Sequence, residues 1–168
     1  METFQAASEF EQVVEQYQDK VFRLICSVLG PGCDAEAQDA TQEVFLKVYK
    51  KLGGFRQESG IGTWIYSIAR NQAIDRRRQI RRLPVTVEIR MDQVAPHADL
   101  GDELDIARAM EKLPEVYRTL VHLFYWQQAS LEEISEVTGI KAGTVKSYLA
   151  RARHNLEAIL KERSRVSK

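Results

Sequence analysis

The sequence predicts an all-α protein made of two small helical domains joined by a flexible linker. Apolar side chains recur at three- and four-residue steps, the spacing that places them on one face of a helix. This periodicity is lost between residues 83 and 101, where two prolines and several acidic residues occur. The 168 residues suffice for two small cores. We therefore expect domains at residues 1–82 and 102–168, with residues 83–101 as the linker.

The first domain begins with two predicted amphipathic helices. The first runs from about Ser8, which forms a capping box with Glu11, to Leu29, where a Gly-Pro-Gly segment ends it. The second runs from Asp34, a candidate N-cap, to Leu52. Its predicted buried side consists of Ala37, Ala40, Val44, Phe45, Val48 and Leu52. Most of its polar residues lie on other faces, and such residues are ordinarily solvated.

A glycine-rich loop and a third helix complete the first domain. The loop spans residues 53–60, and the helix is expected to have Thr63 as its cap. Its predicted core residues are Trp64, Ile65 and Ile68. The other side carries aromatic, amide and arginine side chains: Tyr66, Arg70, Asn71, Arg77 and Arg78. This mixture suits unstacked single-stranded bases, which need a stacking surface and neutralised phosphates. The same residues are also compatible with an ordinary helix that has a buried core side and a solvated basic face.

The second domain is predicted to contain four helices. One spans about residues 102–113, and Pro114 opens the next at its first turn, which continues to Trp126. The apolar residues of this helix should pack against the two helices that follow. The linker of about 20 residues spans at most ~70 Å when extended, so the two domains can lie well apart.

The last two predicted helices have the form of a helix-turn-helix. Ser130 and Glu133 make a capping box, and Gly139 ends the first of the two. The second buries Val145, Leu149 and Ala152. It leaves polar, small and cationic side chains off that stripe: Lys146, Ser147, Ala150, Arg151 and Arg153. A cationic second helix after a glycine turn is typical of DNA binding. An ordinary helical hairpin with a basic outer face is the alternative.

Charge alternates along the chain although the formal net charge is zero. Residues 1–50 and 91–140 are net acidic, whereas residues 51–90 and 141–168 are net basic. We interpret the two basic blocks as separate contacts with one polyanion, and we expect the acidic blocks to face elsewhere.

Several classes of protein are disfavoured. No stretch approaches the roughly 18–20 apolar residues of a membrane helix, and the N-terminus lacks the features of a signal peptide. Cys26 and Cys33 form no CxxC pair or metal-ligand cluster, so we expect a buried thiol and a loop thiol in a reducing cytoplasm. Neither a metal nor a cofactor is expected.

Two sets of motifs resemble one family. Residues 34–49, 55–59 and 63–71 resemble region 2 of bacterial sigma factors of the sigma-70 family, and residues 113–118, 131–135 and 143–153 resemble region 4. Their order and the short linker are similar to the extracytoplasmic-function (ECF, group IV) members. The resemblance implies a subunit that binds core RNA polymerase and directs it to promoters, with no catalytic residues of its own.

The resemblance also implies positions for three functional surfaces. The core polymerase surface would include Asp39, Gln42, Glu43 and Phe45. The minus-10 element would be melted, and a flipped base held, by Phe55, Arg56, Ser59, Tyr66, Arg70, Asn71 and Arg77. The minus-35 element would be read in the major groove by Lys146, Ser147, Ala150 and Arg151, with Arg153 nearer the phosphates.

Family resemblance further implies partners and a location. The polymerase contacts would be the β′ clamp helices and the β flap, and the other partner is promoter DNA. An anti-sigma factor, often membrane-anchored in this family, is also expected, together with activation by a stress or envelope signal. The protein would be cytoplasmic, associated with the nucleoid when active and held at the inner membrane when such a factor binds it.

The sequence departs from the family pattern at three positions. Ala40 replaces a leucine in region 2, which reduces apolar contact at the docking helix or its core. Lys141 stands where a serine or proline often begins the recognition helix, which weakens its cap. Tyr148 stands where a basic residue is common on that helix. A preference of the family for a particular DNA base is therefore not carried over to this position.

Two other functions are compatible with parts of the sequence. A conventional helix-turn-helix regulator would explain the last helices but leave residues 34–78 without a role beyond dimerisation or sensing. A metal-dependent nucleic-acid enzyme would need ligands drawn from scattered residues that lack ligand spacing: Cys26, Cys33, His97, His122 and His154.

Overall fold

The computed structural model describes residues 2–56, 58–82 and 101–166. Its elements are α1 (Glu2–Leu29), α2 (Asp34–Leu52), α3 (Ile61–Arg82), α4 (Gly101–Glu111), α5 (Glu115–Val121), a π-helical segment (His122–Trp126), α6 (Leu131–Thr138) and α7 (Ala142–Val166). Within these residues there is no strand, and the all-α prediction is confirmed. Apart from Gly101, which begins α4, the predicted linker lies outside the described residues.

The first module, α1–α3, packs its three helices around one apolar core. Each helix contributes a stripe at helical spacing, as the sequence predicts. The core side chains are Val21, Leu24, Ile25 and Val28 from α1, Ala37, Ala40, Val44, Phe45 and Val48 from α2, and Ile65, Tyr66, Ala69 and Ala73 from α3.

The starts of these three helices differ from the predictions. α1 begins at Glu2, so Ser8 lies inside the helix and is not its cap. Cys33 is the N-cap of α2 and makes no side-chain capping bond, while Asp34 is the first helical residue. α3 begins at Ile61, two residues before the predicted Thr63. Thr63 therefore lies inside α3 and does not cap it, so its hydroxyl can contact another element.

The second module, α4–α7, contains the predicted helix-turn-helix in α6 and α7. The Ser130 hydroxyl accepts a bond from the Glu133 amide, and the Glu133 carboxylate accepts one from the Ser130 amide, so the capping box is confirmed. Gly139 ends α6 with a φ of 73°, a left-handed conformation that glycine adopts without strain. α7 buries Val145, Leu149 and Ala152 as predicted.

The two modules pack against each other through α3 with α6 and α1 with α5. The Arg118 Nε donates to the Ser27 carbonyl at 2.6 Å, and Arg77 forms an ion pair with Glu115. This arrangement corrects the expectation that the acidic blocks face away from the basic ones. Opposite charges on the two modules attract, and here an acidic residue of α5 meets a basic residue of α3.

Candidate nucleic-acid and protein interfaces

The exposed face of α7 carries all five residues expected at the minus-35 element. All five are exposed and lie off the stripe that α7 buries: Lys146, Ser147, Ala150, Arg151 and Arg153. The Arg153 Nη1 donates to the Tyr125 hydroxyl at 3.3 Å. A cationic helix face with short polar side chains between the charges has the shape and chemistry to enter a major groove.

Tyr148 lies at the edge of the buried side of α7. Its ring packs edge-on against Tyr117, with 5.5 Å between the ring centroids, and it is half-buried. Tyr148 therefore contacts the protein's own core rather than the cationic face. At Lys141, the carbonyl accepts the bond from the Val145 amide that begins α7.

The outer face of α2 carries an exposed apolar pair that the sequence analysis missed. Leu46 is 61% exposed and Tyr49 is 59% exposed, and both share a face with the exposed Asp39 and Gln42. Phe45, expected on this surface, is 8% exposed and packs in the core, so it is unavailable to a partner. The sequence pattern could have indicated this pair, because Leu46 and Tyr49 lie off the stripe of residues that α2 buries.

Glu43 joins α2 to α3 instead of projecting freely from the helix. Its carboxylate accepts hydrogen bonds from Gln72 and from the Arg76 Nη2, the latter at 2.6 Å. Gln72 in turn accepts a bond from Lys47. This four-residue network fixes α3 relative to the exposed face of α2.

A pocket of about 450 Å³ opens beside the 53–60 loop. Phe55 and Trp64 form its aromatic side, with ring centroids 4.9 Å apart and planes tilted by 34°. The remaining lining is basic at Lys50, Lys51 and Arg56 and acidic at Glu58, with the small residues Gly54 and Ser59 between them. Of the predicted residues, the structure thus brings Phe55, Arg56 and Ser59 together. It adds Lys50, Lys51 and Trp64, the last of which was expected in the core.

The other four residues expected at the minus-10 element lie on α3 and are not equally accessible. Asn71 is exposed, whereas Arg70 and Arg77 are half-buried. Tyr66 is 6% exposed, and burial raises the pKa of its hydroxyl. The second module packs against α3, and Tyr66, Arg70 and Arg77 are less accessible than Asn71 on the same helix.

Arg70 and Arg77 share a cationic environment with Arg118 of α5. Burial lowers the pKa of Arg70, an effect that the Glu115 carboxylate opposes and the Arg77 charge reinforces. Burial likewise lowers the pKa of Arg118, an effect that Glu115 and Glu111 oppose and the Arg77 charge reinforces. Three guanidinium groups therefore influence one another with two carboxylates among them, of which Glu115 forms an ion pair with Arg77.

The proposed metal ligands do not form a site in the part of the chain that the structure describes. Burial raises the pKa of Cys26 to about 11, with smaller contributions from Asp34 and Cys33, so this thiol stays protonated. His122 is buried and His154 is exposed, while His97 lies outside the described residues. Among the described helices, none is long and apolar enough to cross a membrane.

Comparison with known proteins identifies the family. Residues 13–83 match the family described as Sigma-70 region 2, and residues 103–156 match Sigma-70, region 4. The ECF RNA polymerase sigma factor SigW of Bacillus subtilis (strain 168) is 32% identical over 170 residues, covering 91% of this chain and 89% of SigW. The chain belongs to the ECF sigma factors.

Further relatives agree with this assignment. The RNA polymerase sigma-H factor of Pseudomonas aeruginosa is 32% identical over 167 residues, covering 90% of this sigma factor and 86% of the relative. The sigma factor RpoE of Bartonella quintana, solved in complex with the anti-sigma factor NepR, superposes with a TM-score of 0.71 at 27% identity, covering 91% and 97% of the two chains. CnrH, solved with the cytosolic domain of CnrY, shares the fold at a TM-score of 0.67 and 22% identity, with 94% of each chain covered.

Membership of this family defines the function in outline. The sigma factor binds core RNA polymerase and directs promoter-specific initiation of transcription. Both region matches occur in the order expected of the family. Residues 34–78 belong to region 2, a region that a conventional helix-turn-helix regulator would not need. Sigma factors are non-enzymatic subunits that recognise DNA.

Proposed function

We propose that this sigma factor uses three separate surfaces in transcription initiation, and that one of them, the exposed face of α2, docks on the β′ clamp helices. The observation that carries this proposal is the exposure of Leu46 and Tyr49 beside Asp39 and Gln42. Exposed aromatic and aliphatic side chains with a polar rim are the usual composition of a protein–protein interface. Glu43 supports this surface from beneath through its bonds to α3.

The pocket beside the 53–60 loop is the proposed site for a base flipped out of the minus-10 element. Phe55 and Trp64 offer aromatic surfaces for stacking, and Lys50, Lys51 and Arg56 supply charge for the adjoining phosphates. Ser59 adds a polar group. Extruding a base costs a few kcal/mol of stacking, which such a pocket offsets. The path of the melted strand then continues along α3 past the exposed Asn71 and the half-buried Arg70 and Arg77, whereas Tyr66, at 6% exposure, packs in the core.

The exposed face of α7 is proposed to read the minus-35 element. Lys146, Ser147, Ala150 and Arg151 would face the base edges in the major groove, and Arg153 would contact phosphates. Arginine and lysine pair with guanine, whereas alanine packs against a thymine methyl group. This assigns minus-10 recognition and docking to residues 1–82 and minus-35 recognition to residues 102–168, with residues 83–101 as the link.

An anti-sigma factor is a further proposed partner. RpoE, which this chain resembles over 91% of its length, was solved with the anti-sigma factor NepR. A membrane-anchored factor of this kind would hold the protein at the inner membrane until a stress or envelope signal released it to the nucleoid. Co-purification from cells tests this, and recovery of polymerase subunits alone would count against it.

Run-off transcription with core polymerase on a genomic library tests the whole proposal. We expect the purified protein to start transcripts at a small set of promoters that share minus-35 and minus-10 elements. A gel-shift comparison with and without core polymerase separates a sigma factor from a conventional regulator, which would bind duplex DNA tightly alone. Failure to bind core polymerase would refute the proposal.

A further inference from the structure

Tyr125 is an exposed aromatic residue that precedes the helix-turn-helix and contacts its second helix. It belongs to the π-helical segment and is 47% exposed. Its hydroxyl accepts a hydrogen bond from the Arg153 Nη1 at 3.3 Å, and this bond lies at the protein surface. Arg153 is the residue of α7 proposed to contact DNA phosphates. Tyr125 therefore extends the cationic face of α7 onto a different element.

The π-helical segment holds the Tyr125 ring in a defined place. The Gln127 amide donates to the His122 carbonyl at 3.2 Å, a bond that spans five residues and widens the turn that follows α5. Within this turn the Tyr125 ring packs edge-on against Phe124, with ring centroids 5.0 Å apart. The side chain is thus fixed by a ring on one side and by the bond to Arg153 at its tip. Single π-helical turns of this kind are frequent at functional sites.

The bond between Tyr125 and Arg153 leaves donors unused on both side chains. A tyrosine hydroxyl can donate as well as accept, and no acceptor among the described residues takes the Tyr125 proton. Arg153 likewise forms no ion pair with a carboxylate in the described part of the chain. Glu157, which lies one turn further along α7, is bonded to Lys161 instead. A hydroxyl and a guanidinium that lie side by side can donate together to the oxygens of one phosphate group.

We infer that Tyr125 binds a backbone phosphate of the minus-35 duplex together with Arg153 and positions the Arg153 guanidinium for that contact. On DNA, the Tyr125 hydroxyl keeps the bond that it accepts from Arg153 and donates its own proton to a phosphate oxygen. Other N–H groups of Arg153 donate to the same phosphate. This inference rests on the proposed minus-35 role of α7.

The DNA contact then reaches beyond the helix-turn-helix to the π-helical segment before it. A phosphate contact carries no sequence information of its own, but it fixes the register of the protein on the duplex. The pair therefore determines how Lys146 and Arg151 meet the base edges.

The test uses holoenzyme assembled with Tyr125→Phe, with Arg153→Ala or with both changes. Tyr125→Phe removes the hydroxyl and keeps the ring that packs on Phe124. Tyr117→Phe is the matched control, since it removes the hydroxyl of a half-buried tyrosine in the same module. Urea denaturation establishes that each variant is folded, and its affinity for core polymerase is measured separately. Fluorescence anisotropy then gives the affinity of each holoenzyme for a labelled promoter duplex found by run-off transcription.

We expect Tyr125→Phe to weaken duplex binding about three- to tenfold, by the same factor for promoters of different sequence. Arg153→Ala should weaken binding further and reduce the salt dependence by about one counterion. The double variant should lose less affinity than the product of the two single losses, because each residue acts through the other. Tyr117→Phe should bind as the wild type does.

Replacing single phosphates of the duplex by uncharged methylphosphonates separates a DNA contact from mere structural support. The wild-type holoenzyme should lose affinity at one such position beside the minus-35 element, and the double variant should lose none there. Tyr125→Phe binding like the wild type, or two single losses that simply multiply, would overturn the inference. A loss confined to one base pair would also overturn it, since that indicates a base contact. So would a lowered affinity for core polymerase, which indicates a contact with that partner instead.

Failure of the proposed minus-35 role would give a different result. If Lys146→Ala and Arg151→Ala holoenzymes bind the duplex as the wild type does, the exposed face of α7 does not read the minus-35 element, and the inference fails with it. If both are impaired while Tyr125→Phe is not, the role of α7 stands and the inference about Tyr125 is wrong.

Discussion

The hydroxyl of Tyr66 on α3 lies 2.8 Å from the Oε1 of Gln127, which follows the π-helical segment of the other module. Tyr66 is nearly buried, so its hydroxyl needs a partner, and Gln127 provides one. The Nε2 of the same amide lies 3.0 Å from the His122 Nε2. One glutamine thus connects the core of the first module to a buried histidine of the second.

The exposed apolar pair on α2 is expected to dominate docking on polymerase. Leu46→Ala/Tyr49→Ala should weaken binding to an isolated β′ clamp-helix fragment by roughly ten- to a hundredfold, because central aromatic and aliphatic contacts carry most of the energy of an interface. Surface plasmon resonance measures this. Ile106→Ala, which removes a 41% exposed aliphatic side chain from α4, is the control and should bind as the wild type does. Equal losses in both variants would contradict the assignment.

Glu43 and Asp39 should separate into a positioning and a contacting role. Glu43→Gln removes the charge that pairs with Arg76, at 2.6 Å, and should lower the free energy of unfolding by about 1 kcal/mol, a modest figure since Glu43 is 45% exposed. Asp39→Asn should leave stability unchanged and reduce only the affinity for polymerase. Urea denaturation and binding assays on both variants check this. Equal stability of the two variants would refute the positioning role.

Lys146 and Arg151 should contribute differently to minus-35 recognition. Lys146→Ala should weaken holoenzyme binding to all promoters alike and reduce the salt dependence by about one counterion. Arg151→Ala should cost about 1–3 kcal/mol and relax the preference at one base pair. Competition binding with single-base promoter variants distinguishes the two.

The matched controls for these substitutions lie on the same helix. Lys161→Ala removes an exposed cation that pairs with Glu157 near the far end of α7, and it should have little effect. Tyr148→Phe retains the ring that packs on Tyr117 and should preserve the base preference. A changed preference in Tyr148→Phe would show that this hydroxyl reads DNA after all.

His122 should make stability depend on pH. Burial, with a smaller contribution from the Arg23 charge, lowers the pKa of its imidazole from 6.5 to about 4. The unfolded chain therefore takes up a proton near pH 6.5 that the folded protein does not accept until about pH 4. Stability must then fall as the pH drops through this window, by about 2 kcal/mol between pH 7 and pH 5.

Denaturation by urea at pH 7, 6 and 5 measures this effect. His122→Phe keeps a ring to stack on Trp126 and should be nearly independent of pH over that range, whatever its absolute stability. His154→Gln, at an exposed histidine, should keep the wild-type dependence. An identical slope in the His122→Phe and wild-type proteins would contradict the prediction.

The sequence by itself determined the helices, the helix-turn-helix and the family. Buried stripes such as Val145, Leu149 and Ala152 depend on spacing along one helix, and the Ser130–Glu133 capping box depends on groups three residues apart. Gly139 ends its helix because a local left-handed conformation is required there. Interactions of this range are visible in a single stretch of sequence.

Only the tertiary structure decided which polar and apolar side chains are free to meet a partner. Phe45 and Leu46 are neighbours on α2, yet one is buried and the other exposed, because the positions of α1 and α3 determine which side of α2 is covered. The Tyr66 hydroxyl donates to Gln127, which lies 61 residues later in the chain, and Arg77 pairs with Glu115 on the other side of the linker sequence. Such contacts depend on how two modules pack, and helical periodicity carries no information about elements that far apart in the chain.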